Sequence, residues 1–223
     1  MSLFARLRAN AGADWSAYVG HAFVTGLGDG TLPQAAFRRY LTQDYLFLIQ
    51  FARAAALAAY KSDTLDELRA AAATLSGLLD LEMPLHVTYC AGWGLDEAAL
   101  QAEPEALETI AYTRFVLERG LAGDRLDLET ALAPCVLGYG EIGRRLHETG
   151  GIHPANPYAD WIATYAGAEY CAVADAAEAT LETLWASRGS EARYPSLLET
   201  FRAATRLETA FWDMGLRGAA PPL

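Results

Sequence analysis

Apolar residues recur at steps of three and four along nearly the whole chain, and no stretch alternates at period two for long. That spacing lines one face of an α-helix and gives a β-strand no consistent side to bury. It predicts an all-α protein. The helix that constrains the rest carries Leu128, Leu132, Val136, Tyr139, Ile142 and Leu146 on its inward stripe, with Cys135 beside it. It is poorly optimised for helicity. Pro134 removes a backbone donor and crowds the preceding turn, which predicts a kink. Gly138, Gly140 and Gly143 follow, each a weak helix former. A helix that accepts this around one thiol is expected to let a ligand or another backbone come close.

Start and stop signals divide the pattern into about eight helices. Ser2 can cap the first, whose inward residues are Phe4, Leu7, Ala11, Trp15, Val19 and Phe23. Thr31-Leu-Pro-Gln34 and Thr64-Leu-Asp-Glu67 read as capping boxes for the second and third. Pro84 predicts a bend in the third, and Pro104 opens the fourth, with Leu107, Ile110, Tyr112 and Phe115 inward. Asp127 is the expected cap of the fifth, and Asn156-Pro157 that of the sixth. Gly167 separates the seventh, and Pro195 lies at the start of the last. The expected architecture is a single-domain helical bundle over residues 1–223, with 218–223 a frayed tail.

Charge narrows the partners. Twenty-eight acidic residues against 17 basic ones leave a net charge of -11, which repels phosphate backbones and disfavours nucleic acid. The three cysteines are widely spaced and form no CxxC, so free thiols in a cytoplasmic setting are expected. No apolar run is long enough to span a membrane, and the first residues lack a signal-peptide core.

Two stripes are interrupted in the same way. Phe37, Leu41, Asp44, Leu48 and Phe51 are spaced four, three, four, three, and so are Leu197, Phe201, Ala204, Glu208 and Phe211. A carboxylate on a buried face is costly unless it is paired or used. Asp44, Cys135 and Glu208 therefore suggest a pocket in the bundle centre, with aromatic walls suited to a small heterocycle. Each residue also has a plainer reading. A buried cysteine is most often a small hydrophobe, a buried carboxylate can pair with arginine, and the tyrosines can be core residues with satisfied hydroxyls. Glu82 and His86 resemble a metal half-site, but a buried structural pair is the simpler explanation. The Glu-x-x-His pairs of a di-iron bundle are absent, so no metal is expected.

With these pieces in place the chain resembles the TenA family, also called thiaminase II or aminopyrimidine aminohydrolase, in its cysteine-containing branch. The matching residues run in order: Trp15 and His21-Ala-Phe, Asp29-Gly-Thr-Leu-Pro33, Tyr40-Leu-Thr-Gln-Asp-Tyr45, Glu82 and His86, Tyr112, Ala133-Pro-Cys135, Tyr139-Gly-Glu-Ile-Gly143, Asn156-Pro-Tyr, Trp161-Ile, Tyr165, and Glu208 with Phe211-Trp-Asp213. The resemblance implies a haem-oxygenase-like fold assembled as a homotetramer, with no metal or organic cofactor. It implies hydrolysis of 4-amino-5-aminomethyl-2-methylpyrimidine to the 5-hydroxymethyl compound in thiamin salvage, with cleavage of thiamin at the same site. By that match Cys135 is the nucleophile, Glu208 the general acid/base, and Asp44 the group that holds the ring nitrogen and amino group. Tyr112, Tyr139 and Tyr165 would orient substrate or tune the thiol, and Phe47 and Phe211 would form stacking walls. A pyrimidine-binding protein without turnover, or a haem-oxygenase-like redox enzyme, are the alternatives on the same fold.

Overall fold

The computed structural model describes residues 1–218, which form twelve α-helices and one π-helical turn and contain no strand. The expected tail falls almost wholly outside this range. The first expected helix is three: α1 (Leu3–Ala11), α2 (Ala13–Val19) and α3 (Ala22–Asp29). The chain turns between the first two at Gly12, whose φ of 48° suits glycine. Ser2 caps α1 through its hydroxyl as expected, but Phe4 is only half-buried.

The long α4 (Gln34–Tyr60) follows. Thr31 does not cap it: the N-cap is Pro33, and the Thr31 hydroxyl donates to Asp29 Oδ1 at 2.6 Å. The backbone N–H and hydroxyl of Thr31 both donate to Asp29 Oδ1, which binds Thr31 into the turn that precedes the helix. Thr64 does cap α5 (Leu65–Gly77), accepting from Glu67 N. The bend expected at Pro84 is taken up just before it. A π turn, Leu78–Glu82, precedes α6 (Met83–Ala91), and Pro84 occupies the first turn of α6, where its missing N–H costs nothing. A short α7 (Glu97–Ala102), capped by Asp96, was not signalled by any apolar stripe.

In α8 (Leu107–Ala122) Tyr112 is buried, but Leu107 is 80% exposed and Ile110 also faces outward. Tyr112 and Phe115 cannot share one face with Leu107 and Ile110, and the larger aromatic decides which side turns in. The central α9 (Arg125–Glu148) runs unbroken through Pro134. Its cap is Asp124, not Asp127: Asp124 accepts from Leu126 N and Asp127 N, while Asp127 bonds back to Asp124 N. Arg193 holds both carboxylates. Short α10 (Ala159–Ala166) has no side-chain cap. Asn156 instead ties its amide to the carbonyls of Leu27, Gly28 and Gly151. The last helices are α11 (Ala168–Arg188) and α12 (Tyr194–Arg217).

Helix α9 packs against α8, α10, α11 and α12, and α4 against α5, α6, α8 and α12. The close approach anticipated at the glycines is met at Gly143, where a Cβ would lie 2.5 Å from the carbonyl carbon of Tyr165. One large core holds α4, α9 and α12 side by side. Among the described residues no helix is long and apolar enough to cross a membrane.

Candidate active site

Three long helices deliver the reactive side chains to one point. Asp44 lies in the middle of α4, Cys135 directly after Pro134 on α9, and Glu208 in the second half of α12. Together with Phe47, Tyr112, Tyr139 and Phe211 they line a single cavity of about 10 Å³. That is room for roughly one water. Phe47 sits 5.1 Å from Tyr112 and 6.0 Å from Phe211 between ring centroids, so three rings form one wall. Tyr165 is not in this lining. It stands behind Tyr139, 5.0 Å away, and packs on Trp161 and Tyr170. Its helix, α10, meets α9 at Gly143, one turn beyond Tyr139.

The two carboxylates are held differently. Glu208 is 2% exposed and accepts one hydrogen bond, 2.8 Å from the Tyr112 hydroxyl. Burial pushes its carboxyl up to about 8, against the pull of the Tyr112 bond and with a further push from the charge on Asp44. At neutral pH it is mostly a neutral acid. Asp44 is better provided for: Oδ2 accepts from Tyr40 at 3.3 Å and lies 2.8 Å from His86 Nε2. Cys135 is half-buried. Burial, reinforced by the charges of Glu208, Asp44 and Glu82, holds its thiol well above its ordinary range, so the resting group is the thiol. Cys90 is fully buried and pushed up to about 11, and Cys171 is also free.

Two side chains at the site, Tyr40 and His86, were named in the sequence but given no role there. Tyr40 stands four residues before Asp44 on the same helix, a spacing that was visible. His86 and Glu82 were seen as a pair, but their partner across the helix interface was not. The ensemble is an apolar-walled slot with a thiol, a protonatable carboxyl and a fixed carboxylate, an arrangement able to bind a flat polar ring and move protons around it.

The chain is 36% identical over 215 residues to an aminopyrimidine aminohydrolase of Halalkalibacterium halodurans, covering 96% of this chain and 95% of that one. It superposes on the crystal structure of a TenA family transcription regulator from a Silicibacter species with a TM-score of 0.92, at 49% identity and 96% coverage of each chain. A Shewanella denitrificans domain with a haem oxygenase-like fold matches at a TM-score of 0.75 and 13% identity, over 96% of this chain and 92% of that one, which places the fold in that class. The model of the TENA/THI-4/PQQC family matches residues 8–218, and the chain belongs to that family.

Proposed function

We propose that the protein is an aminopyrimidine aminohydrolase of thiamin metabolism, which replaces the amine of the 5-aminomethyl group of 4-amino-5-aminomethyl-2-methylpyrimidine with hydroxyl and also cleaves thiamin. The observation that carries this reading is the single cavity in which Cys135, Glu208 and Asp44 meet between Phe47, Phe211, Tyr112 and Tyr139. The curated relative from Halalkalibacterium halodurans, similar over nearly its full length, supports the same activity.

The leaving amine sits on a methylene attached to the ring and is hard to displace directly. Covalent addition divides the step. In its ionised form Glu208 takes the Cys135 proton, and the thiolate adds to a ring carbon. The electron pair enters the ring and leaves with the amine, which receives the proton from Glu208. Water then adds to the exocyclic methylene and gives a proton back to Glu208. The carbon–sulfur bond breaks, and the departing sulfur is reprotonated. Asp44 accepts from the N–H of the 4-amino group and keeps that edge of the ring polarised. Because Glu208 acts first as a base, and its carboxyl is held near 8, kcat/KM rises with pH through that region.

Exposed Leu65, Leu85 and Leu107 support assembly into the homotetramer expected of a cytoplasmic family member, and the mass in solution checks it. The deciding experiment follows product from the aminomethylpyrimidine and from thiamin by chromatography, for wild type and Cys135→Ser. Turnover by wild type, reduced at least about 100-fold in the variant, supports covalent catalysis. Binding without turnover by wild type points to a carrier instead.

A further inference from the structure

His86 belongs to no step of the reaction above, yet it reaches the cavity's carboxylate from a separate segment. Its two ring nitrogens have unusual partners. Nε2 lies 2.8 Å from Asp44 Oδ2, and Nδ1 lies 3.1 Å from the backbone carbonyl oxygen of Glu82. A carbonyl and a carboxylate only accept, whereas a neutral imidazole carries one N–H. A neutral ring beside an ionised Asp44 would therefore press a lone pair against an oxygen. The same Oδ2 already accepts from Tyr40, which suits a carboxylate better than a protonated acid. Both recorded bonds go to Oδ2, so Oδ1 is left for whatever enters the cavity that Asp44 lines.

We propose that His86 is a positioning residue for Asp44, the carboxylate that binds substrate: a buried imidazolium, donating from both ring nitrogens, that fixes Asp44 as an ionised acceptor with Oδ1 directed to the pyrimidine's 4-amino N–H. The proposal rests on reading this cavity as the substrate site. The π turn ends at Glu82 and passes the chain into α6, where Glu82 and His86 stand one turn apart. The surroundings favour the cation. Burial disfavours charge on His86, but the Asp44 bond and charge, and then the charge of Glu82, outweigh it and hold the imidazolium above its ordinary value. Glu82 is itself pushed by burial up to about 7, against the pull of His86. The other groups near this patch are the Tyr40 hydroxyl on α4, Cys90 on α6, Arg38 on α4, whose charge acts on Cys90, and Cys135 on α9, which feels both Asp44 and Glu82. Arg38 is the one other cation in that set, so His86 supplies the charge that meets Asp44 directly.

The arrangement has a consequence for the proton cycle. With Asp44 neutralised by a neighbour, it does not compete with Glu208 for the Cys135 proton, and one carboxylate binds while the other transfers.

The test has two parts. Nitrogen NMR of the histidine rings in the full-length protein, with the His86 signals assigned by their loss in His86→Gln, reads the ring state directly. The chain has four histidines, which keeps the assignment tractable. Two protonated nitrogens at pH 7 are expected; one protonated and one bare nitrogen means a neutral pair and overturns the proposal. Kinetics of His86→Gln then separate positioning from folding. Glutamine keeps an N–H but not the charge, so KM for the aminomethylpyrimidine should rise about tenfold or more while kcat changes less. The acid limb of kcat/KM, which Glu208 sets, should also move to higher pH, because the Asp44 charge that pushes the Glu208 carboxyl up is then no longer balanced by a cation. An unchanged KM and pH profile overturns the proposal. The NMR result needs no turnover, so failure of the hydrolase reading and failure of the His86 assignment are told apart.

Discussion

Replacing Glu208 with glutamine should destabilise the protein at acid pH and stabilise it at alkaline pH. In the native state the Glu208 carboxyl holds its proton to about 8, whereas the free group releases it at 4.5. Between those values the folded chain binds a proton that the unfolded chain has lost. Stability contributed at this position is therefore greatest below about pH 4.5, declines through the interval, and levels off above about 8. At about 1.4 kcal/mol per pH unit the full decline is about 5 kcal/mol, most of it already incurred at pH 7. Glutamine escapes it. Its amide oxygen still accepts from Tyr112, but its buried amino group lacks an assured partner, which costs about 1–3 kcal/mol at every pH. Wild type should thus be the more stable protein at pH 5, and Glu208→Gln the more stable at pH 9 by about 2–4 kcal/mol. Urea unfolding of both proteins, followed by circular dichroism at pH 5, 7 and 9, gives the two curves. The difference between them isolates this residue from groups that titrate alike in both. Parallel curves would refute the reasoning, because a carboxyl held protonated by burial cannot leave stability differences flat in pH.

Other perturbations probe neighbouring contacts. Tyr112→Phe removes the one bond that pulls the Glu208 carboxyl down, so the rise of kcat/KM should move to higher pH, by about half a unit to one unit; a pH–rate profile of the variant checks this. Gly143→Ala places a Cβ 2.5 Å from the carbonyl carbon of Tyr165. Backbone cannot swing aside as a side chain can, so the cost should reach about 3 kcal/mol, and a thermal melt that stays within about 2 °C of wild type would contradict it.

The parts of the site that were legible are those written along a single helix. Asp44 and Glu208 announce themselves because each interrupts an otherwise apolar stripe, and Phe47 and Phe211 lie within a turn of them. Cys135 is marked by the proline before it and the glycines after it. The His86–Asp44 bond was hidden because it crosses from α6 to α4, and no spacing within one segment encodes which way two helices face each other. Tyr165 illustrates the same limit: its apolar ring could be placed inward, but whether it meets the cavity or the back of Tyr139 depends on how α10 docks. Caps were misplaced where two candidates stand close together. Asp124 and Asp127 share one box in opposite roles, and only the geometry shows which side chain takes the first helical N–H groups.

The tightness of the cavity has a kinetic meaning. Its free space of about 10 Å³ is far below the ~300 Å³ at the lower end of small-molecule sites, so a substrate ring would need the facing helices or their aromatic side chains to part before it fits. Observed affinity would then be the intrinsic affinity reduced by the fraction of time spent open, with capture slower than unhindered diffusion. Protonation shelters the sulfur as well. A half-buried thiol held well above its ordinary range offers less to passing oxidants or electrophiles than a thiolate would, so Cys135 rests in its less reactive form.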